Sequence, residues 1–158
     1  MLTNIVLYRV GTCICSPGHP ECDHHFVLTD FGFSKPYHGF ETQISSQKSG
    51  TQCYRAPELS SSGQFSVHTD MWAFGCILLE VARTGIGNTA FSHDGEAQLY
   101  IHDPVNRFPG LVYGVNNALD QAQIAELNGV ARLCLDPDPG NRPMAEFLHQ
   151  NLCRLNWS

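Results

Sequence analysis

Residues 50–58 of this chain read GTQCYRAPE, and residues 30–32 upstream of them read DFG. The upstream triplet directly follows the run Phe26-Val-Leu-Thr, whose β-branched and aromatic residues are typical of a strand. A carboxylate at the end of a strand suits a hard cation such as Mg²⁺, and a following glycine lets the backbone turn. Taken alone, the triplet is more often an ordinary turn, so its meaning depends on the residues downstream of it.

A long polar segment connects the two stretches. Residues 30–52 are rich in Ser, Gly and Gln and show no apolar periodicity, which predicts a loop. Glu58, at the end of the second stretch, lies 28 residues after Asp30. A loop of this length inside a compact domain is usually functional. We therefore expect residues 30–58 to carry function.

A buried helix is predicted soon after this segment. Residues 68–83 read HTDMWAFGCILLEVAR and place apolar side chains on every side of a helical wheel. A helix that is apolar all round lies inside a core. We expect Thr69 or Asp70 to cap its start, because a short side-chain oxygen can accept from the orphan amides of the first turn.

Two further helices are predicted near the C-terminus. Residues 120–135 show helical spacing of the apolar side chains Ile124, Leu127, Ala131 and Leu135. The last helix is expected to begin at Pro143, where a missing amide costs nothing, and to reach Leu155. Its inward side chains are predicted to be Phe147, Leu148, Leu152 and Leu155. Between these helices and the buried one, residues 84–117 predict only a short helix near residues 96–101.

The N-terminal part predicts a small β-hairpin. The run from Asn4 to Tyr8 reads as a strand and can pair with residues 26–29. Residues 11–25 contain Gly, Pro, three Cys and three His, which predicts a long insert in the hairpin. With 158 residues and 42% apolar content, the chain can bury one core. The predicted fold is a single, mainly α domain with a small β-hairpin.

The composition indicates which classes of partner and which cell compartment to expect. The chain has 15 Asp and Glu residues and 9 Lys and Arg residues, which gives a formal charge of -6. This acidic balance argues against nucleic acid or an anionic membrane as the main partner. The seven Cys are an odd number and the N-terminus lacks a signal-peptide pattern, so we expect a reduced protein of the cytoplasm or nucleus. The longest apolar run, residues 71–82, is shorter than the roughly 20 residues that span a bilayer.

Four motifs in this order resemble the protein kinase family. In that family, Asp-Phe-Gly and Ala-Pro-Glu bracket the activation segment, and they stand here at residues 30–32 and 56–58. Residues 70–75, DMWAFG, resemble the opening of the family's buried F helix. Residues 135–137, LDP, and 141–143, NRP, resemble the turn and the arginine before the last helix. The resemblance covers essentially the whole chain.

The resemblance implies a nucleotide and metal site. Asp30 would chelate the Mg²⁺ that bridges the phosphates of ATP, and Asn4 would be the second Mg²⁺ ligand. The packing of Phe31, which Gly32 follows, would determine whether the kinase site is in its active or its inactive state. Thr51 resembles the residue that marks the serine/threonine class and contacts the catalytic aspartate.

The resemblance also implies regulatory and structural residues. The serines at the positions of activation-segment phosphates are Ser45, Ser46 and Ser49, although serines are also common in any exposed loop. Glu58 and Arg142 are expected to form a buried ion pair, because an arginine fork can grip a carboxylate with two parallel hydrogen bonds. The other structural positions are Asp70 and Trp72.

Several parts of the family's catalytic machinery are absent from this sequence. No His-Arg-Asp catalytic loop, Gly-rich loop, or phosphate-pairing lysine with its glutamate partner precedes residue 30. The resemblance therefore implies a C-terminal lobe without an N-lobe, cut just after the catalytic aspartate. Phosphoryl transfer depends mostly on positioning and electrostatics. We expect ATP and Mg²⁺ to bind an intact parent kinase, and neither to bind this chain.

Three functional hypotheses remain open. The first is a fragment of a serine/threonine kinase whose parent acts on a protein substrate. The alternative is a non-catalytic, kinase-like interaction module, a pseudokinase, that binds a protein partner. A third is a zinc module formed by Cys13, Cys15, Cys22, His24 and His25, but their spacing matches no standard finger and predicts no bound zinc. The sequence does not define the oligomeric state.

Overall fold

The computed structural model describes residues 5–9, 24–35, 43–44, 50–84, 91, 96, 99 and 120–152. In chain order, the elements in these ranges are β1 (Ile5–Arg9), β2 (His24–Leu28), β3 (Gln43–Ile44), α1 (Pro57–Ser62), β4 (Gln64–Phe65), α2 (Val67–Thr84), α3 (Gln121–Cys134) and α4 (Ala145–Leu152). Short 3₁₀ turns occur at Phe31–Phe33, Gln52–Tyr54 and Pro139–Asn141. The predicted class, mainly helical with a small antiparallel hairpin, is confirmed.

The hairpin pairs β1 with β2 in antiparallel register, with Ile5 opposite Leu28 and Arg9 opposite His24. The prediction that residues 4–8 and 26–29 form this hairpin is confirmed within one or two residues at each end. The insert was predicted to extend to residue 25, and this boundary is wrong. Strand β2 already begins at His24, because His24 still pairs with Arg9, the last residue of β1. Residues 11–23 lie outside the described ranges.

The sequence predicted a loop throughout residues 30–52, and the structure differs from this prediction. A 3₁₀ turn forms at Phe31–Phe33, and β3 pairs with β4 in a second two-stranded antiparallel ladder. This ladder places Gln43 opposite Phe65 and Ile44 opposite Gln64. A strand of two residues has no readable alternation of apolar side chains, so pattern analysis could not find it.

Helix α2 lies in the core, as predicted. Among its side chains, Trp72, Ala73, Leu79 and Ala82 have no exposed surface, and Cys76 is 1% exposed. The predicted caps, Thr69 and Asp70, are wrong because the helix begins earlier, at Val67. The cap is Ser66, whose Oγ accepts from the His68 amide at 3.2 Å. Thr69 occupies the third helical position, and its Oγ1 accepts from the Ser66 amide at 3.0 Å.

Helix α3 packs against α2. Its start is a capping box: the Asp120 carboxylate accepts from the Gln123 amide at 2.8 Å, and the Gln123 side chain accepts from the Asp120 amide at 3.0 Å. The predicted inward side chains are confirmed, since Ile124, Leu127, Ala131 and Leu135 are all at most 2% exposed. Helical periodicity was a reliable guide here because one face of α3 meets the core.

Helix α4 begins at Ala145, two residues later than predicted. Leu148 is 3% exposed and packs with Met71 and Cys134, whereas Phe147 is 52% exposed. The inward placement predicted for Phe147 is therefore wrong. Neighbouring helical residues point about 100° apart, so the face that carries Leu148 and Leu152 leaves Phe147 towards solvent.

Two other expectations concern parts of the chain that are described only in places or not at all. Leu155 and most of the short helix near residues 96–101 lie outside the described ranges, although Glu96 and Leu99 are each helical. Within those ranges, no helix combines the length and apolar character needed to cross a bilayer.

Candidate functional site

Asp30 directly follows the hairpin and has an unusual backbone conformation. Its φ of 59° and ψ of 67° are left-handed, and within the described ranges it is the one residue other than glycine with a positive φ. An L-residue in this conformation costs of the order of 1 kcal/mol or more and persists where the surrounding structure requires it. Such strain is typical of functional positions. The side chain is exposed, so a ligand can reach its carboxylate.

Gly32 leaves room for that carboxylate. A Cβ added at residue 32 would lie 3.3 Å from Oδ1 of Asp30, closer than side chains normally approach one another. The two phenylalanines of the turn face outward, with Phe31 66% and Phe33 59% exposed. Asn4, Ser45, Ser46 and Ser49 lie outside the described residues.

The other end of the segment is a second 3₁₀ turn, Gln52–Tyr54, that follows the exposed residue Thr51. The Tyr54 amide donates to the Thr51 carbonyl at 3.1 Å, which closes the turn. Arg55 reaches back and donates from Nη2 to the Gly50 carbonyl at 2.7 Å. Gly50 has a φ of 90°, which only glycine adopts readily, so the turn before Thr51 depends on this residue.

Glu58 and Arg142 form the ion pair that the sequence predicted. Nη1 of Arg142 lies 2.7 Å from Oε1 of Glu58, and Nη2 lies 2.8 Å from Oε2, so the pair is bidentate. The Arg142 side chain has no exposed surface and the Glu58 side chain is 12% exposed. This arrangement joins residues 84 positions apart in the sequence.

Arg142 makes further contacts with the surrounding elements. Its Nε donates to the Asp136 carbonyl at 2.8 Å, and its Nη1 also donates to the His68 carbonyl at 2.9 Å. Its guanidinium carbon lies 5.0 Å from the ring centre of Trp72, a distance at which cation–π attraction operates. The arginine therefore links α1, the start of α2 and the loop after α3.

Thr69 connects this network to the cap of α2. Its hydroxyl donates to Oε1 of Glu58 at 3.0 Å while accepting from the Ser66 amide. Asp70, the next residue, lies half-buried in the first turn of α2. The sequence did not predict a role for Thr69 in holding Glu58, because the contact depends on where the tertiary structure places the two residues, 11 positions apart in the sequence.

A second link joins the 3₁₀ turn at Gln52–Tyr54 to α2. Oη of Tyr54 donates to Oε1 of Glu80 at 2.5 Å, and Glu80 is only 6% exposed. The pKa of Tyr54 is raised above its ordinary range, mainly by burial and then by this hydrogen bond to Glu80. The hydroxyl therefore stays protonated and remains a donor at neutral pH. The sequence analysis missed both residues, although an acidic residue within an otherwise apolar helix is a signal that could have indicated Glu80.

Three free thiols lie in the core near these elements. Cys53, Cys76 and Cys134 are each at most 8% exposed. Burial raises the pKa of the Cys53 and Cys76 thiols above their usual range and that of the Cys134 thiol to about 12. Because the thiolate is the reactive form, these cysteines are inert core residues.

These raised pKa values predict alkaline destabilisation. The unfolded chain ionises its thiols near 9.0 and Tyr54 near 10.0, below the folded-state values. The stabilisation that these groups contribute is fully present below their unfolded-state pKa values. It is lost as the pH rises through the folded-state pKa values. Urea midpoints are therefore expected to fall between about pH 8 and about pH 11. The Tyr54→Phe variant should lose less over this range, and a flat profile in the wild-type chain would contradict the assignment.

The described residues show no metal cluster. Among them, no group of three or more His, Cys, Asp or Glu side chains is placed to hold a metal. The ligands expected of the zinc hypothesis at Cys13, Cys15 and Cys22 lie outside the described ranges.

The geometry defines a mainly helical domain in which a buried arginine joins α1, the start of α2 and the loop after α3. The sequence model of the protein kinase domain matches residues 17–153 of this chain. The chain therefore belongs to the protein kinase family.

Three relatives from Arabidopsis thaliana illustrate the similarity. The chain is 33% identical over 130 residues to "Probable serine/threonine-protein kinase PBL24", an alignment that covers 77% of this chain and 33% of the relative. It is 29% identical over 146 residues to serine/threonine-protein kinase BIK1, covering 85% and 36%. It is 27% identical over 139 residues to cysteine-rich receptor-like protein kinase 8, covering 78% and 19%. The chain thus matches only about a third or less of the length of these relatives.

Proposed function

We propose that this chain is the C-terminal lobe of a serine/threonine protein kinase domain, whose parent transfers the γ-phosphoryl group of ATP to protein hydroxyls. The observation that supports this most is the activation-segment scaffold. Asp30 stands in a strained conformation at its start, and the buried Glu58–Arg142 pair anchors its end. The names of the relatives and the position of Thr51 support the serine/threonine class.

The exposed Asp30 carboxylate fits a Mg²⁺ ion, because magnesium prefers hard oxygen ligands and retains several waters. Asp30 would hold the ion together with Asn4 and the nucleotide phosphates, and the ion would neutralise charge on the transferring group. The role proposed for Gly32 is to leave the carboxylate free to take this position. Thr51, exposed at the far end, would meet the catalytic aspartate beside the accepting hydroxyl.

We further propose that the isolated chain does not transfer phosphoryl groups. The sequence contains no His-Arg-Asp aspartate, no Gly-rich loop and no phosphate-pairing lysine before Asp30. A single metal ligand in the described residues supplies neither the base nor the cover over the phosphates. Positioning and electrostatic stabilisation, which supply most of the catalysis of this reaction, would be incomplete.

Titration of the isolated chain with Mg-ATP is expected to give no measurable heat at micromolar concentrations. The physical reason is that one exposed carboxylate binds a strongly hydrated ion weakly. Isothermal titration calorimetry measures this directly. A micromolar Kd that disappears in Asp30→Ala would show that the chain forms a complete nucleotide site.

In a parent chain that includes an N-lobe and a catalytic loop, Asp30→Asn is expected to lower kcat for a protein substrate at least about 100-fold, because a charged metal ligand is lost. The matched control is Glu126→Gln, which removes an equally exposed carboxylate from the outer face of α3 and should leave kcat unchanged. If the wild-type parent neither binds Mg-ATP nor transfers phosphoryl groups, the non-catalytic interaction module is the better description.

A further inference from the structure

Two buried nitrogen atoms of α2 have no hydrogen-bond partner among the described residues. They are Nε1 of Trp72, whose side chain has no exposed surface, and Nδ1 of the half-buried His68. A buried donor or acceptor without a partner costs the free energy with which water solvated it. In folded proteins nearly all such groups are paired, and an ordered water supplies the partner where the protein does not.

The two nitrogens belong to side chains on one face of α2. Residues four positions apart in a helix are neighbours on its surface, with their Cβ atoms about 5–6 Å apart. Both residues also contact Arg142. Its Nη1 donates to the His68 carbonyl at 2.9 Å, and its guanidinium carbon lies 5.0 Å from the ring centre of Trp72. Because Arg142 is itself buried, it shields this side of α2 from bulk solvent.

The two groups are chemically complementary through a third one. The indole N–H of Trp72 can only donate, and Nδ1 of His68 accepts in the imidazole tautomer that has its proton on Nε2. Arg142 cannot accept from the indole, because a guanidinium has no acceptor. A water molecule can accept from the indole and donate to Nδ1. A buried water needs two to four polar partners, and these two nitrogens supply the minimum.

We propose that one buried water molecule bridges Nε1 of Trp72 and Nδ1 of His68, and that it fixes His68 in the tautomer protonated at Nε2. Through this water, the network of Arg142 includes two side chains of α2 as well as the His68 carbonyl. A water-mediated bridge is nearly as favourable in enthalpy as a direct hydrogen bond. The proposed water does not depend on the kinase function, because it concerns only the packing around α2.

Nuclear magnetic resonance tests the site with both of its side chains in place. The chain contains two tryptophans, so Trp157→Phe leaves Trp72 as the source of the one indole N–H signal. A long-lived water is expected to give cross-peaks to this proton that have opposite signs in nuclear Overhauser and rotating-frame spectra. Cross-peaks of equal sign, which indicate a short-lived water or proton exchange, would overturn the proposal, and so would the absence of cross-peaks.

The tautomer of His68 is a second readout in the same isotope-labelled chain. Long-range proton–nitrogen spectra distinguish a protonated from an unprotonated ring nitrogen, and His68→Gln identifies the signals of this residue among the eight histidines. At a pH where the imidazole is neutral, the proton is expected on Nε2. A proton on Nδ1 would contradict the proposed bridge, because Nδ1 could then no longer accept from the water.

His68→Asn and His68→Leu form a matched pair of variants. The asparagine oxygen stands near the position of Nδ1 and can accept from the water, whereas leucine cannot. The ratio of their unfolding constants, Leu over Asn, is expected to be about fivefold larger in the wild-type background than in Trp72→Phe, where the donor is lost. Helix propensity cancels in this comparison. Equal ratios in the two backgrounds would overturn the bridge. If Trp72→Phe does not fold, the resonance spectra decide.

Discussion

Arg142→Ala is expected to lower the free energy of unfolding by about 3–5 kcal/mol, because the substitution leaves the largely buried Glu58 carboxylate without its arginine. The Arg142 side chain has no exposed surface and donates both to Glu58 and to the carbonyls of His68 and Asp136. Those acceptors would also lose their donor inside the fold. For a domain with a typical stability of about 5–15 kcal/mol, this loss approaches unfolding. Urea denaturation followed by circular dichroism measures it.

The matched control is Arg132→Ala on the exposed face of α3, which is expected to change the free energy by no more than about 0.5 kcal/mol. Arg142→Lys should recover only part of the loss, since an ammonium group cannot donate along two parallel directions to one carboxylate. Glu58→Gln should also destabilise the chain. Losses below about 1 kcal/mol in both Arg142→Ala and Glu58→Gln would show a surface pair and weaken the assignment of the scaffold.

Gly75→Ala is expected to destabilise the chain by about 3 kcal/mol, at the upper end of the usual cost of overpacking a core. A Cβ at this position would lie 2.8 Å from Cβ of Cys134, 3.0 Å from Cγ of Leu135 and 3.1 Å from the carbonyl oxygen of Ala131. These atoms belong to the backbone or lie close to it, so they cannot move aside without shifting α3. The measurement is again the urea midpoint.

Gly129→Ala provides the matched control for the same chemical change in a helix. Apart from its two chain neighbours and the backbone of its own helix, a Cβ at Gly129 would have no heavy atom within 4 Å. Alanine in an exposed helix is more favourable than glycine by about 0.5–1 kcal/mol, so this variant should be more stable than the wild type. If both variants were stabilised, the close contact between α2 and α3 would have to be rejected.

The sequence was sufficient where the signal is local or where a residue stands in a recognised motif. Helix α3 could be predicted with its inward side chains, because periodicity records which face meets a core. The pairing of Glu58 with Arg142 could also be predicted, although the residues lie 84 positions apart, because each stands in a motif of a known family. Composition and periodicity alone contain no information about which carboxylate a given arginine meets.

Other polar contacts could not be predicted from the pattern of residues. Ser66 caps α2 instead of Thr69 or Asp70, since the helix begins at Val67, before either of those side chains. Thr69 is then free to donate to Glu58. Short-range rules allow several suitable oxygens near a helix start, and the first residue of the helix, Val67, decides which of them is the cap.

The sequence by itself determined the family of this protein, its buried helix, the helix after Asp120 and the residues of the Glu58–Arg142 pair. The tertiary structure alone decided the left-handed backbone of Asp30, the contact of Tyr54 with Glu80 and the outward direction of Phe147. The physical reason is the range of the interactions. Periodicity and motif spacing follow from local geometry, whereas strain and buried polar pairs depend on which distant elements come within hydrogen-bonding distance.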